Sequence, residues 1–495
     1  MGKYNRVLTF KTFIYFSGAL CVLCCILFRP VTYEAQGDFP SYLGLAKQIF
    51  NLPGAGAESL SHRSPLYSIV MGLFIGAFGE THFLMPLMAF QYLLIFLSSL
   101  LIWRIFGQLT ENTAVAFIAG TAGVLNLTTV YYGYMLVTET LALFLFSLTA
   151  FLLLRYLARG DLWLAFLTGI TTALLVLTRF NTLGIPLVIL LVMVVYRLIR
   201  NGLTRAGRFI AGVSLYTVAL LIPLCLWSLR NYNTSGNFEL VPKGQTGQRW
   251  AVPATINEKN RVDPGQEEIL KIFLKARAEL LSSEDTTVRK GSLLSNKLIT
   301  RVSGFFSPEV SGFLLYRNAE AELLKHYNLD NDEAGIRTLA VKLEPFYRVI
   351  AGQNRSELSR LRWFSFLNTF KHISPTLPGT SKKNLNKIPS PLIKAYKLLF
   401  IIMIMSVYAG SIVHMLYLPF RRERLKNSAN FIVFYGLIWY FPAVNWYANV
   451  LGDANRFRYP ADMVIIGLFV TYCLYIVRTI KLRIVLNGGT EGKNR

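Results

Sequence analysis

A carboxylate, an arginine and several aromatics lie close together soon after the first apolar run. Asp38 stands in Gln36-Gly37-Asp38-Phe39-Pro40-Ser41-Tyr42, and Arg63 in Ser61-His62-Arg63-Ser64-Pro65-Leu66-Tyr67. A carboxylate beside arginines can deprotonate a hydroxyl while the guanidinium groups hold a phosphate through paired N–H donors. Two other stretches carry the same ingredients. Glu139 begins an apolar helix in Val137-Thr138-Glu139-Thr140-Leu141, and Arg456 and Arg458 stand in Asp453-Ala454-Asn455-Arg456-Phe457-Arg458-Tyr459-Pro460. Arg179, in Arg179-Phe180-Asn181, and Arg230, in Trp227-Ser228-Leu229-Arg230-Asn231-Tyr232, add two arginines at the ends of apolar runs. Tyr42, Tyr67 and Tyr459 lie inside these motifs as supporting side chains.

Each residue has a simpler role to set against this one. Asp38 could cap a helix over 41–50. Glu139 could stabilise a helix N-terminus through the macrodipole. The arginines could snorkel to lipid head groups. Taken as a set, the residues favour chemistry, because ionisable groups at membrane depth are costly and usually functional.

The elements that must position these residues are membrane helices. The chain has 495 residues, 53% hydrophobic and only 16% charged, where a soluble protein carries about 25% charged residues. Apolar runs of about 20 residues recur, each long enough to cross ~30 Å of hydrocarbon. They are continuously apolar rather than alternating, which excludes membrane strands. The fold class expected is an all-α polytopic membrane protein with spans near 10–28, 82–103, 112–130, 137–157, 162–178, 182–198, 208–229, 393–418, 428–448 and 459–479. The net charge of +24, from 51 basic and 27 acidic residues, follows from basic loops on one side of a membrane and calls for no nucleic-acid partner. The basic stretches Arg155–Arg159, Arg197–Arg208, Arg421–Lys426 and Lys481–Arg483 are expected to be cytoplasmic, with both termini on that side.

Parity then constrains the first loop. If 64–79 and 82–103 both crossed, every later basic loop would change sides. The stretch 64–79 is therefore expected to lie in the outer interface, where Pro65, Tyr67, His62 and Arg63 suit it. This leaves about ten spans in a multi-pass protein of the inner (plasma) membrane, with Asp38, Glu139 and Arg179 on the outer, extracytoplasmic side. The basic start at Lys3 and Arg6 and the bulky Phe28-Arg29-Pro30 read as an uncleaved first span. Three parts are expected: an N-terminal transmembrane module, 1–230, with a first outer loop 29–81; a small, mostly helical outer domain, 231–390; and C-terminal spans with a tail, 391–495. Within the outer domain, helical patterns occur at Glu267–Leu281, Ala319–His326, Gly335–Tyr347 and Glu357–Phe370.

Several chemistries lack their residues. There is no Gly-rich phosphate loop and no Gly-x-Ser-x-Gly elbow, and Asp330-Asn331-Asp332 sits in a polar turn. The five histidines are scattered. All five cysteines (Cys21, Cys24, Cys25, Cys225 and Cys473) fall in expected spans, with no zinc-ligand spacing.

The ordered set of Asp38, Arg63-Ser64-Pro65-Leu66, Thr138-Glu139-Thr140-Leu141, Thr178-Arg179-Phe180-Asn181, Trp227–Tyr232 with Gly236-Asn237-Phe238, and Arg456–Pro460 resembles the GT-C glycosyltransferases. The likeness is to the branch of protein O-mannosyltransferases and lipid A aminoarabinose transferases. Two departures are Ser64-Pro65-Leu66 for the family's Pro-Pro-Leu, and Phe39 where the protein mannosyltransferases carry an acid. The resemblance implies a hexosyl- or pentosyltransferase of the cell envelope with a polyprenyl-phosphate-linked sugar as donor and a glycan, lipid or protein acceptor. It implies a site outside the membrane with Asp38 as general base and inversion at the sugar. Arg63, Arg456 and Arg458 would bind the donor phosphate, with Arg179 and Arg230 as further candidates. No cofactor is fixed by these residues; a divalent ion such as Mg or Mn would have Asp38 and Glu139 as its candidate ligands. Two other readings share many spans and outer arginines: a polyprenyl-linked polysaccharide polymerase or ligase, and a lipid-linked glycan flippase or transporter. The first-loop acid and the absence of an internal repeat weigh against them.

Overall fold

The computed structural model describes residues 3–27, 38–54, 63–201, 206–241, 248–282, 302, 305–331, 333–371, 390–417, 422–448 and 454–491. Among them every regular element is a helix. The first ten are α1 (Lys3–Leu27), α2 (Phe39–Ile49), α3 (Pro65–Phe78), α4 (Leu84–Thr110), α5 (Thr113–Leu125), α6 (Leu127–Tyr134), α7 (Glu139–Arg159), α8 (Leu162–Thr178), α9 (Ile185–Asn201) and α10 (Ala206–Ser235). They are followed by α11 (Gln248–Thr255), α12 (Glu267–Ser282), α13 (Gly312–His326), α14 (Glu333–Gln353) and α15 (Arg355–Asn368). The chain closes with α16 (Ser390–Tyr417), α17 (Arg422–Ala448), α18 (Ala454–Arg458), a 3-10 turn at Tyr459–Ala461, and α19 (Asp462–Glu491).

The all-α polytopic architecture agrees with the sequence reading. Eight helices among the described residues are long and apolar enough to cross a membrane, and the pair α5–α6, bent by 50°, makes up to nine. The expected span at 162–178 is α8, whose 17 residues fall just short of that length. By contrast α3 has 14 residues, roughly 21 Å at 1.5 Å per residue, well under the ~30 Å hydrocarbon core.

Local chemistry explains the boundaries that matter for the site. Proline opens both α2 and α3, where its missing N–H costs nothing. Ser64, extended just before α3, donates its hydroxyl to the Thr178 carbonyl at 2.7 Å and so ties the start of α3 to the end of α8. The break between α5 and α6 falls at Asn126, whose Oδ1 accepts from the Thr128 N–H at 3.0 Å and from the Tyr396 hydroxyl at 2.7 Å. This cap restarts the helix in a new direction, and α6 then delivers the chain to the start of α7. Gly160, left-handed at φ 74°, ends α7.

The membrane helices share one apolar core, which runs from Cys21 and Tyr42 through Phe106, Phe146 and Tyr216 to Phe441 and Leu468. Helix α7 packs between α4 and α8, and the turn 459–461 also lies against it. The helices α11–α14 bury a core of their own around Phe273, Tyr316 and Phe346. Helix α15 packs both on α11 and α14 of this group and on α17 and α18. The four helical patterns expected in this region fall on α12, α13, α14 and α15.

Helices α8 and α10 pack closely. A Cβ added at Gly169 would lie 2.4 Å from the Tyr216 carbonyl oxygen, so the two backbones approach too closely for any side chain. We expect Gly169→Ala to destabilise the protein by about 1–3 kcal/mol through overpacking, read as a lower thermal midpoint in detergent. An unchanged midpoint would show that α8 and α10 can separate freely.

A candidate active site of alternating charges

Five of the expected site residues meet at one end of the bundle. Asp38 arrives at the N-terminal end of α2, Arg63 just before α3, Glu139 in the first turn of α7, Arg179 at the C-terminal end of α8, and Arg456 on α18. Arg63 Nη2 lies 3.0 Å from Asp38 Oδ1. Arg456 Nη2 donates to Asp38 Oδ2 at 2.9 Å, and its Nε donates to Glu139 Oε1. Arg179 Nη1 lies 3.0 Å from the same Glu139 oxygen. The charges therefore alternate in the order Arg63, Asp38, Arg456, Glu139, Arg179.

Burial decides between this arrangement and the simpler roles. The Glu139 side chain is 0% exposed and Arg179 only 6%, while Asp38 and Arg456 keep 26% and 24% of their surface. Arg179 is thus held inside the protein, over the Phe457 ring at 5.4 Å, and does not reach to head groups. Asp38 occupies the cap position of α2 but makes no side-chain cap hydrogen bond, because its carboxylate faces the arginines instead. Glu139 does sit in a helical first turn, where a negative charge is favoured. A buried carboxylate needs more than that, and the two guanidinium groups supply it. For Asp38, burial pushes the pKa up, but Arg456 and Arg63 outweigh it and hold the carboxyl below its ordinary value. It is therefore ionised at neutral pH.

An aromatic layer supports the open side of this chain. The Arg63 guanidinium lies 5.5 Å from the centre of the Tyr42 ring, and Tyr42 meets Tyr67 edge-on at 5.7 Å. Gln91 of α4 fixes Tyr67 by donating to its hydroxyl at 3.3 Å, and holds the α6–α7 connection by donating to the Met135 carbonyl at 2.8 Å. Tyr459 is buried with its ring 4.6 Å from that of Tyr132.

Two expected phosphate ligands stand elsewhere. Arg458 is wholly buried; its Nε donates to Asp462 Oδ1 at 2.7 Å, and its Nη1 donates to the carbonyls of Thr369 and Lys371. Its donors are spent on joining α18 and α19 to the end of α15, so it acts as a clamp and not as an open anion site. It lies two positions from Arg456, and residues so spaced on a helix do not face each other. Arg230 lies on α10, stacked on Trp227 at 4.8 Å and donating to Asn231 Oδ1 at 3.3 Å, outside the alternating chain. His62, Gly37 and Asp453 fall outside the described residues. The sequence reading passed over Asp462, although its spacing of four from Arg458 is that of a helical ion pair. It also passed over Gln91, which carries no motif.

The two carboxylates expected as candidate metal ligands are engaged by arginines. No group of three or more metal-ligating side chains occurs among the described residues. Arg456 bridges Asp38 and Glu139 and occupies the place between them.

Neutralising Glu139 alone should expose how much the cluster depends on it. Glu139→Gln leaves Arg179 buried without a counter-charge, and breaking a buried pair costs about 3–5 kcal/mol. We expect a correspondingly lower unfolding midpoint in detergent, partly restored by Arg179→Met in the same chain. Equal stability of Glu139→Gln and wild type would mean that the pair contributes nothing net.

No family profile matches the chain, and no curated protein matches it. Among solved structures it is similar to the archaeal oligosaccharyltransferase AglB from Archaeoglobus fulgidus in complex with an inhibitory peptide and a dolichol-phosphate, with 13% identity and a TM-score of 0.48 over 99% of this chain and 52% of that one. A second Archaeoglobus fulgidus oligosaccharyltransferase structure, tethered to an acceptor peptide, aligns at 13% identity and a TM-score of 0.47 over 95% of this chain and 51% of that one. ArnT from Cupriavidus metallidurans bound to undecaprenyl phosphate aligns at 14% identity and a TM-score of 0.36, over 91% of this chain and 77% of that one. The chain spans about half the length of the two oligosaccharyltransferases.

Proposed function

We propose that this protein is a membrane glycosyltransferase of the GT-C type that moves a sugar from a polyprenyl-phosphate donor to an acceptor hydroxyl. The observation that carries the reading is the charge count of the cluster. Three guanidinium groups against two carboxylates leave one net positive charge at the membrane end of the bundle. A lipid-linked sugar phosphodiester carries one negative charge, and that charge grows as the sugar departs. Fixed positive groups at such a place stabilise the transition state more than the ground state.

In the reaction proposed, Asp38 accepts the proton of the acceptor hydroxyl. The acceptor oxygen attacks the anomeric carbon from the face opposite the phosphate, and the carbon–oxygen bond to phosphate breaks with inversion. The electron pair leaves on the phosphate oxygen, where Arg63 and Arg456 meet it. Glu139 and Arg179 hold Arg456 in place from behind. The site would face the extracytoplasmic side of the inner membrane, with both termini cytoplasmic, a glycan, lipid or protein as acceptor, and α11–α15 as the outer domain.

The test is transfer from a radiolabelled polyprenyl-phosphate sugar by membranes carrying the protein. Asp38→Asn should lower turnover by about 10²–10⁴-fold, the usual worth of a general base, with expression and donor binding retained. Near-normal transfer would remove Asp38 as the base, and long-chain products would move the reading to a polymerase. The pH profile gives a second test. Because Arg456 and Arg63 hold Asp38 low against burial, the acid limb of kcat/KM in wild type should lie below the ordinary carboxylate range. Arg63→Gln removes a lowering charge, so that limb should move to higher pH. A limb that stays put would assign it to another group.

A further inference from the structure

A second basic cavity lies at the opposite end of the bundle. Helix α7 carries Glu139 at its start and Arg159 at its end, which places them about 30 Å apart along the helix. Near Arg159 a cavity of about 440 Å³ opens between α7, α9 and α10, lined by Tyr156, Arg159, Met193, Tyr196, Arg197 and Arg208 among others. That volume is in the range of ~300–1,000 Å³ that holds small ligands.

The floor and the rim differ in kind. Tyr156, Met193 and Tyr196 are buried, at 5%, 1% and 3% exposure. The Tyr156 hydroxyl lies against the α10 backbone at Gly212, where an added Cβ would come within 2.1 Å of it. The rim carries the arginines. Arg197 is half-buried with its guanidinium 5.8 Å from the centre of the Phe209 ring, whereas Arg159 and Arg208 are exposed. The acid that answers them is Asp161, at 3.9 Å from Arg208, in a pair whose side chains are 67% and 35% exposed. Such an open pair is weak. Among the described residues, three guanidinium groups line a concave, tyrosine-floored site, with Asp161 beside one of them.

The need for basic loops on one side of a membrane explains the arginines, but not a cavity with buried tyrosines beneath them. We propose that this cavity binds a phosphate monoester, separately from the Asp38 cluster. A phosphate monoester carries about two negative charges at neutral pH, and guanidinium forks complement its oxygens. The ester belongs to a lipid headgroup or to a soluble phosphate. The exposed apolar side chains Leu198 and Ile210, which follow Arg197 and Phe209, suit the lipid source.

The test uses the full chain in phosphatidylcholine nanodiscs doped with spin-labelled phosphatidic acid, and equilibrium dialysis of the detergent-solubilised protein against radiolabelled inorganic phosphate. Wild type should retain phosphatidic acid about tenfold over spin-labelled phosphatidylcholine, and Arg197→Gln with Arg208→Gln should abolish the preference. Arg456→Gln, in the other cluster, should leave it unchanged. Arg208→Gln alone, at an exposed side chain, should weaken retention about threefold without disturbing the fold. Binding of inorganic phosphate with the same dependence on Arg197 and Arg208 would support the site and assign it to a soluble phosphate. No preference for either probe in wild type would overturn the proposal. So would a preference undiminished by Arg208→Gln, or one that disappears with Arg456→Gln.

Discussion

The arrangement turns on Arg456. Glu139 is wholly buried, and a carboxylate is kept ionised in such a place only by charges that repay its lost hydration. Arg456 provides one of these and at the same time holds Asp38. One guanidinium therefore joins the first loop, the start of α7 and the entry to the last long helix, across sequence separations of 317 and 418 residues. Planar, always charged and able to donate in two directions, arginine can do this where lysine cannot. The elements around it are set to deliver it: Asn126 breaks an apolar run so that α6 and α7 can turn, and Ser64 pins α3 to the end of α8.

The two arginines of Arg456-Phe457-Arg458 divide the work. Arg458 fixes α18 and α19 to the end of α15 by donating to two carbonyls and to Asp462. Because the next residue but one on a short helix points another way, anchoring Arg458 also sets where Arg456 points. Phe457 between them lies under Arg179. The motif is thus one structural unit with a buried clamp and a partly open face.

Much of this was legible in the sequence, and the remainder was hidden for identifiable reasons. Long apolar runs show themselves by composition, so each expected span falls on an apolar helix or, at 112–130, on the bent pair α5–α6, and α3 was recognisable by its shortness. Asp38, Arg63, Glu139, Arg179 and Arg456 stood out because charge at the end of an apolar run is expensive. Their pairing was not legible, since nothing local records which charge meets which across hundreds of residues. Nor could spacing tell Arg456 from Arg458, because burial alone separates their roles. The break at Asn126 lay inside a run read as one straight span; its apolar flanks outweighed a single capping residue.

The cluster has a consequence for the order of events in the proposed reaction. Asp38 held between Arg63 and Arg456 is a weak base, since both arginines stabilise its ionised form. A donor phosphate draws on the same two guanidinium groups. Each hydrogen bond they give to phosphate oxygen is one they no longer give to Asp38, and in a partly buried site the change in field is poorly screened. Binding of the donor would thereby raise the basicity of Asp38, when an acceptor hydroxyl can be put to use. In that reaction Glu139 would limit the exchange: buried and bonded to Arg456 Nε, it would keep that guanidinium in place while the other side of the fork changes partner. The same pair of carboxylates that makes the free site stable then couples the proton acceptor to the leaving group.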